Sequence, residues 1–193
     1  MDPAQLRATI ALAQAGSAEA YKALLEAYGP RLYGYFFRAC GNHHEAEDLL
    51  GELMLRLVRR LKIYDDRGRF EPWLFRIAAN MVRDRIRRCR SNPAPMSLSA
   101  ESDESASLGG RLAAAETLAG AEMLAREVSD ELNESIARLE PKTRDMILLR
   151  HFAELSFKEI ADMYECPLGT VLARVHRGLR TLRRLMGERH GTK

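Results

Sequence analysis

The stretch RFEPWLFRIAANMVRDRIRRCR, Arg69 to Arg90, sorts its chemistry by end. Phe70, Trp73 and Phe75 open it, Asn80 lies in the middle, and Arg83, Arg85, Arg87, Arg88 and Arg90 close it. Helical spacing puts Arg83, Arg87 and Arg90 along one side, where guanidinium groups can follow a phosphate backbone. An amide such as Asn80 can bond the edge of a base or cap a neighbouring group. The pattern suits a polyanion held by arginines while the other end handles something exposed, such as an unstacked base. Trp73, Leu74, Ile77, Ala78 and Met81 also recur at helical spacing, so Trp73 is expected in a core.

A second set lies in PLGTVLARVHRGLRTLRRLM, which starts at Pro167. At about 100° per residue, Val171, Val175, Leu179, Leu182 and Met186 form one stripe, expected to pack on the preceding helices. Ala173, His176, Arg177, Arg180 and Arg184 fall on the opposite face, with Gly169 and Thr170 at the exposed N-terminus. Free N–H groups and small residues at a helix start can enter a major groove, and arginines can bond guanine edges or phosphates.

Helices must position both sets. AEAYKALLEAYGPRLYGYFFRACG is apolar at helical spacing up to Gly41, and Asn42 with Glu45 predicts a capping box for the next helix. That helix turns Ala46, Leu49, Leu50, Leu53, Met54, Leu57, Val58 and Leu61 inward, and Glu45, Asp48, Glu52, Arg56, Arg59 and Arg60 outward. IYDDRGR reads as a loop through Asp66 and Gly68, followed by a long helix from about Pro72. SNPAPMSLSAESDESASLGG is small, polar and proline-bearing, which reads as a linker. Beyond it Pro141 and Pro167 start helices, and Ser156 with Glu159 predicts a second capping box. The short capped helix to about Tyr164, the tight turn YECP and the basic helix form a helix-turn-helix pattern.

Ala, Leu, Arg and Glu dominate the 193 residues and few are β-branched, which favours an all-α chain. The expected architecture is two small helical domains on a flexible linker: residues 1–90, a linker over 91–125, a helix-turn-helix domain over 126–187 and a tail over 188–193. Cys40, Cys89 and Cys166 are far apart and odd in number, so no disulfide framework follows and a reducing cytoplasm is the expected compartment. The N-terminus lacks a basic region before a long apolar core, and no run approaches the roughly 20 apolar residues of a membrane span. The net charge of +3 hides a segregation. Between Ser91 and Glu134 acids dominate against only Arg111 and Arg126, whereas Arg174 to Lys193 holds a single acid, Glu188. Separated basic patches suggest a polyanion touched at two places.

AEDLLGELMLRLVRRL, then YDDRGRFEPWLFRIAANMVRDRIRR, then LEPKTRDMILLRHFAELSFKEIADMYECPLGTVLARVHRGLRTLRRL resemble the sigma factors of bacterial RNA polymerase. The group is the compact extracytoplasmic-function type of the sigma-70 family, and the resemblance covers about residues 15–90 and 126–187. It implies a non-catalytic subunit that binds the clamp and flap of core RNA polymerase and directs promoter-specific transcription initiation. The first domain would read and melt the minus-ten element, the second would read the minus-thirty-five element, and an anti-sigma factor would hold the protein in check. No cofactor, metal or small-molecule substrate is implied.

Carried over residue by residue, the clamp-binding helix matches Ala46 to Arg60, which makes Asp48, Glu52 and Leu55 the expected core contacts. The asparagine beside the flipped minus-ten base matches Asn80, and the loop shaping its pocket matches Ile63 to Phe70. Tyr64, Phe70, Asn80, Arg83 and Arg87 are therefore the expected minus-ten contacts. The start of the recognition helix matches Pro167 to Arg177, which makes Gly169, Thr170, Ala173, Arg174, His176 and Arg177 the expected minus-thirty-five contacts. Gly51 stands where the family usually has glutamine. Val58 replaces a frequent tryptophan, an expected packing change, and Leu172 and Ala173 replace a basic residue and a serine that often meet DNA.

A helix-turn-helix regulator that recruits no polymerase would leave the clamp-like helix and Asn80 unexplained. A DNA-cleaving or joining enzyme would need Asp65, Asp66 and Glu71 as metal ligands, but they crowd one short loop without a nucleophile or a partner carboxylate set. Cys40, His43 and His44 flank a helix end at Gly41 and Asn42 and read as surface residues rather than a metal site.

Overall fold

The computed structural model describes residues 1–66, 68–91 and 129–190, and among them every regular element is a helix. The first domain comprises α1 (Pro3–Gln14), α2 (Ala18–Cys40), α3 (His43–Leu61) and α4 (Phe70–Ser91). The second comprises α5, described over 129–137, then α6 (Pro141–Phe152), α7 (Phe157–Tyr164) and α8 (Leu168–His190). The expected linker lies outside the described residues apart from the backbone of Ser91, as do residues 191–193 of the tail and the side chains of residues 89–91 and 188–190.

Side-chain oxygens of Asp2, Ser17, Asn42, Glu140 and Ser156 cap the starts of α1, α2, α3, α6 and α7. Each satisfies backbone N–H groups that a helix start leaves without a partner. Ser156 and Glu159 form both halves of the expected capping box. At α3 the Asn42 side chain accepts from Glu45 N at 3.1 Å, while the Glu45 carboxylate accepts from Arg85 of α4, also at 3.1 Å. The second half of that expected box is thus a tie between helices. Gly41 ends α2 in the left-handed region at φ 75°, which glycine adopts without steric cost. The Trp73 N–H bonds Arg69 O at 3.1 Å, so α4 starts at Phe70, two residues before the expected Pro72.

Ala46, Leu49, Leu53, Leu57 and Leu61 of α3 are buried against Leu24, Leu32, Tyr35 and Phe36 of α2 and Leu74, Phe75 and Ala78 of α4. Val58, expected inward, is exposed on the outer side. In the second domain Val171, Val175 and Leu182 are buried, but Leu179 is 50% exposed. The close approach of α8 to α6 is made by Gly178 instead. A Cβ there would lie 2.6 Å from Thr143 Cγ2 and 2.7 Å from Ile147 Cδ1. α8 also runs to His190, past the expected domain end. The two domains are docked, with α2 and α4 packed on α6.

Two glycine-to-alanine changes should have opposite signs. Gly51 lies on the exposed side of α3, where a Cβ meets nothing within 4 Å. Gly51→Ala should stabilise the chain by up to about 1 kcal/mol through helix propensity alone. Gly178→Ala gains the same propensity but forces a methyl onto the β-branched Thr143, and overpacking costs about 1–3 kcal/mol. Urea denaturation midpoints should rise for the first and fall for the second.

Candidate nucleic-acid and polymerase interfaces

Asn80 is exposed on α4 and opens onto a cleft of about 350 Å³ lined by Arg56, Arg60, Ile77, Arg83, Asp84 and Arg87. Its Oδ1 accepts from Arg83 Nη1 at 3.0 Å. Arg87 pairs with Asp84 at 2.8 Å, and Arg56 with Glu52 at 2.6 Å. One amide among several guanidinium groups has the donors for phosphate contacts and the edge for a base.

The loop before α4 is built on aromatics. Tyr64 is half-buried, its ring 4.3 Å from that of Trp73 and 5.8 Å from that of Phe70. Burial first, and then the Asp66 charge, push the Tyr64 hydroxyl up to about 12. Phe70, expected at the DNA, is only 1% exposed and packs on Tyr28. It shares the inward stripe of α4 with Leu74 and Ile77, so it supports the loop from inside. The outward side chain there is Ile63, 87% exposed. Gly68, at φ 70°, turns the chain with its N–H on Asp66 Oδ1 at 3.0 Å.

Gln14, to which the sequence assigned no role, holds this loop from behind. Its Nε2 donates to Leu61 O at 3.0 Å and to Tyr64 O at 2.7 Å, tying α1 to the end of α3. A single glutamine ending a surface helix has no local signature, and only the fold supplies its partners.

On the outer side of α3, Asp48, Glu52 and Leu55 are all exposed, Leu55 at 66%, and Val58 extends the apolar part. Glu52 is engaged by Arg56, and His44 lies 3.9 Å from Asp48. Apolar side chains beside carboxylates make a surface suited to a protein partner. His43 stacks on Phe37 at 4.1 Å and shares a 2.6 Å hydrogen bond with the Tyr33 hydroxyl. Among the described residues no three His, Cys, Asp or Glu gather to hold a metal ion, and no helix is long and apolar enough to cross a membrane.

In α8, Gly169, Thr170, Ala173, His176 and Arg177 share one exposed surface, flanked by Leu168 and Leu172. Arg174 has other work. It is half-buried, and its Nη1 bonds Glu140 Oε2 at 2.7 Å, tying α8 to the cap of α6. Burial pushes the Glu140 carboxyl up, but bonds from Thr143 and Lys142 and the Arg174 charge hold it below its ordinary value. Arg177 is exposed, its Nε donating to Ala173 O at 3.2 Å within the helix.

These surfaces fall in two stretches that match known families. Residues 24–91 match Sigma-70 region 2, and residues 129–182 match Sigma-70, region 4. The ECF RNA polymerase sigma factor SigW of Bacillus subtilis (strain 168) is 32% identical over 171 residues, covering 88% of this chain and 90% of that protein. The chain belongs to the ECF sigma factors of RNA polymerase. The RNA polymerase sigma factor CarQ of Myxococcus xanthus is also 32% identical, over 178 residues covering 90% and 92% of the two chains. Among solved structures, the sigma factor RpoE of Bartonella quintana, in complex with the anti-sigma factor NepR, shares the fold. The TM-score is 0.65 and the identity 20%, over 88% of this chain and 98% of that one. In this sigma factor, α1 and Gln14 lie outside both matched regions.

Arg177 and Arg174 should separate cleanly. Arg177→Ala should weaken promoter binding by about 1–3 kcal/mol and relax preference at one position, as for a base-edge contact. Equal loss on all sequences with a shallower salt slope would make it a phosphate contact instead. Arg174→Ala should mainly lower the thermal midpoint by loosening α8 from α6. Band-shift titration over single-base promoter variants, beside thermal melting, tells the two roles apart.

Proposed function

We propose that this sigma factor binds core RNA polymerase through the Asp48, Glu52, Leu55 and Val58 surface of α3. It then opens the minus-ten element beside Asn80 and reads the minus-thirty-five element with the start of α8. It adds specificity in the cytoplasm and supplies no catalytic group, the polymerase performing the chemistry. The first domain, over residues 1–90, and the second, over 126–187, act at separate promoter elements, and the second also meets the polymerase flap. The observation that carries this reading is the exposed Asn80 in an arginine-lined cleft, one helix away from an acidic and apolar surface whose inner side is already full. Flipping a base out of the stack costs a few kcal/mol, which edge bonds and stacking must return. Asn80 offers the edge bonds, the Tyr64–Trp73 pair sits at the loop before it, and Arg87 follows the backbone. Control by an anti-sigma factor is supported by the fold shared with a sigma factor captured in such a complex.

Replacing both Asp48 and Glu52 by lysine should weaken core binding by roughly 2–5 kcal/mol, the cost of losing desolvated charge pairs at an interface. Folding should barely change, because the exposed Glu52–Arg56 pair contributes only about 0.3–0.5 kcal/mol. Unchanged core affinity with a normal circular dichroism spectrum would contradict the α3 assignment.

Asn80→Ala should leave core binding and closed-complex formation intact but slow promoter opening, followed by permanganate footprinting. Melting at the normal rate would make Asn80 a structural amide and move the base pocket to the loop from Ile63 to Phe70.

A further inference from the structure

Ile10 and Ala13, both buried in the core, fix α1 to the first domain, and the helix ends at Gln14. The Gln14 side chain reaches the far end of α3, where Nε2 donates to Leu61 O at 3.0 Å and to Tyr64 O at 2.7 Å. The last carbonyls of a helix have no partner within it. Leu61 O is one of these, and it also accepts from the Tyr64 N–H at 3.0 Å. One amide thus gives both its hydrogens to carbonyls on either side of a tight turn, one in the helix and one beyond it. Both acceptors are oxygens, so only the NH2 end of the side chain fits them, and a glutamate of the same shape would set its own oxygens against them. Ile63, 87% exposed, lies between the two clamped carbonyls. Holding Tyr64 O also sets the Tyr64 ring against Trp73, 4.3 Å away, and the Tyr64 hydroxyl on Asp66 Oδ1 at 3.3 Å. Asp66 Oδ1 in turn accepts from the Gly68 N–H at 3.0 Å.

We propose that Gln14 is a positioning residue for base selection, holding Ile63 and Tyr64 in the one placement that discriminates the base flipped out beside Asn80. The inference rests on the reading of Asn80 and the loop before α4 as the minus-ten pocket. Edge bonds tell one base from another only when the base and its partners are held to a fraction of an ångström. Phosphate contacts carry no sequence information and tolerate movement of the loop. A loop released from Gln14 would still let the arginines of α4 hold the strand, but it would let any base settle. Gln14 therefore governs which base is accepted rather than how tightly DNA is held. Because it grips backbone carbonyls, it acts whatever side chains the loop carries. It also gives α1, which lies outside both matched regions, a part in reading the promoter.

The test uses the full chain assembled with core RNA polymerase, and a single-stranded DNA pool randomised over a short central window. Sequencing the bound strands reads preference, and total binding reads affinity. The wild type should enrich one base at one position by about tenfold, the scale of an edge-bonded contact. Gln14→Leu should cut that enrichment to about twofold or less, while total pool binding and core affinity hold, because the phosphate contacts are intact. Gln14→Glu should do the same, since it keeps the shape and removes the donors. Gln14→Lys, whose ammonium supplies donors for both carbonyls, should restore most of the preference. Trp73 is the only tryptophan, so its emission reports the Tyr64 contact, and it should shift with Gln14→Leu and return with Gln14→Lys. Ile10→Val, which loosens the packing of the same helix, should lower the thermal midpoint and keep the preference. A full base preference in Gln14→Leu overturns the proposal, as does an equal loss of preference in Ile10→Val. Should Gln14→Leu fail to fold, equal preference in Gln14→Glu and Gln14→Lys overturns it. A wild type without base preference at any position would instead remove the pocket itself, and the minus-ten reading with it.

Discussion

A single buried carboxylate sets the arrangement of four helices. Asp145 projects from α6 into a junction where water cannot reach it, and an unpaired charge there would cost several kcal/mol. Burial pushes its carboxyl up, and the Tyr164 and Tyr35 hydroxyls and the Arg83 charge oppose that shift. The two hydroxyl donors come from α7 and α2, and the charge from α4. To keep Asp145 solvated by protein, all four helices must hold their places together. Loss of any one of these partners would leave the buried carboxylate undercompensated, so the junction holds or loosens as a unit.

The division of labour follows from this. α2 carries the first domain's core on one side and, in its C-terminal half, meets the second domain through Arg31, Gly34 and Tyr35. α3 and α8 each keep one side free. Their inner stripes bury apolar side chains, and their outer sides hold what a partner can recognise: carboxylates and leucine on α3, small residues and arginine on α8. α4 is the shared element. Its inner stripe anchors the core through Phe70, Leu74 and Ile77, while Asn80 stays exposed and Arg83 reaches Asp145 of the second domain.

The sequence carried the local part of this well. The Ala46–Leu61 stripe, Val58 apart, and the Ser156–Glu159 box follow from helical periodicity and capping chemistry, which involve residues within a few positions of one another. It carried the long-range part poorly. Phe70 reads as a loop aromatic until α4 is seen to start there and turn it inward. The tie of Arg174 to Glu140, remote in sequence, has no spacing signal. Leu179 fits the apolar stripe by angle alone, but the helix crossing is centred on Gly178, whose missing side chain leaves no periodic signal. Gln14 and the domain junction depend on pairs far apart in the chain, and no spacing rule reports them. Asp145 is the lone acid of PKTRDMILLRHF, and nothing in that stretch reports the hydroxyls that meet it.

A sigma factor must turn DNA recognition into initiation. The direct measurement is transcription by purified core RNA polymerase, with and without the chain, on a pool of templates randomised over the upstream region, followed by sequencing of the transcripts. The account predicts that transcripts appear only with the chain present and come from templates sharing two sequence elements at a fixed separation, upstream of a common start point. Templates that the chain binds and enriches without any polymerase-dependent transcript would contradict it, and would leave a DNA-binding protein with no part in initiation.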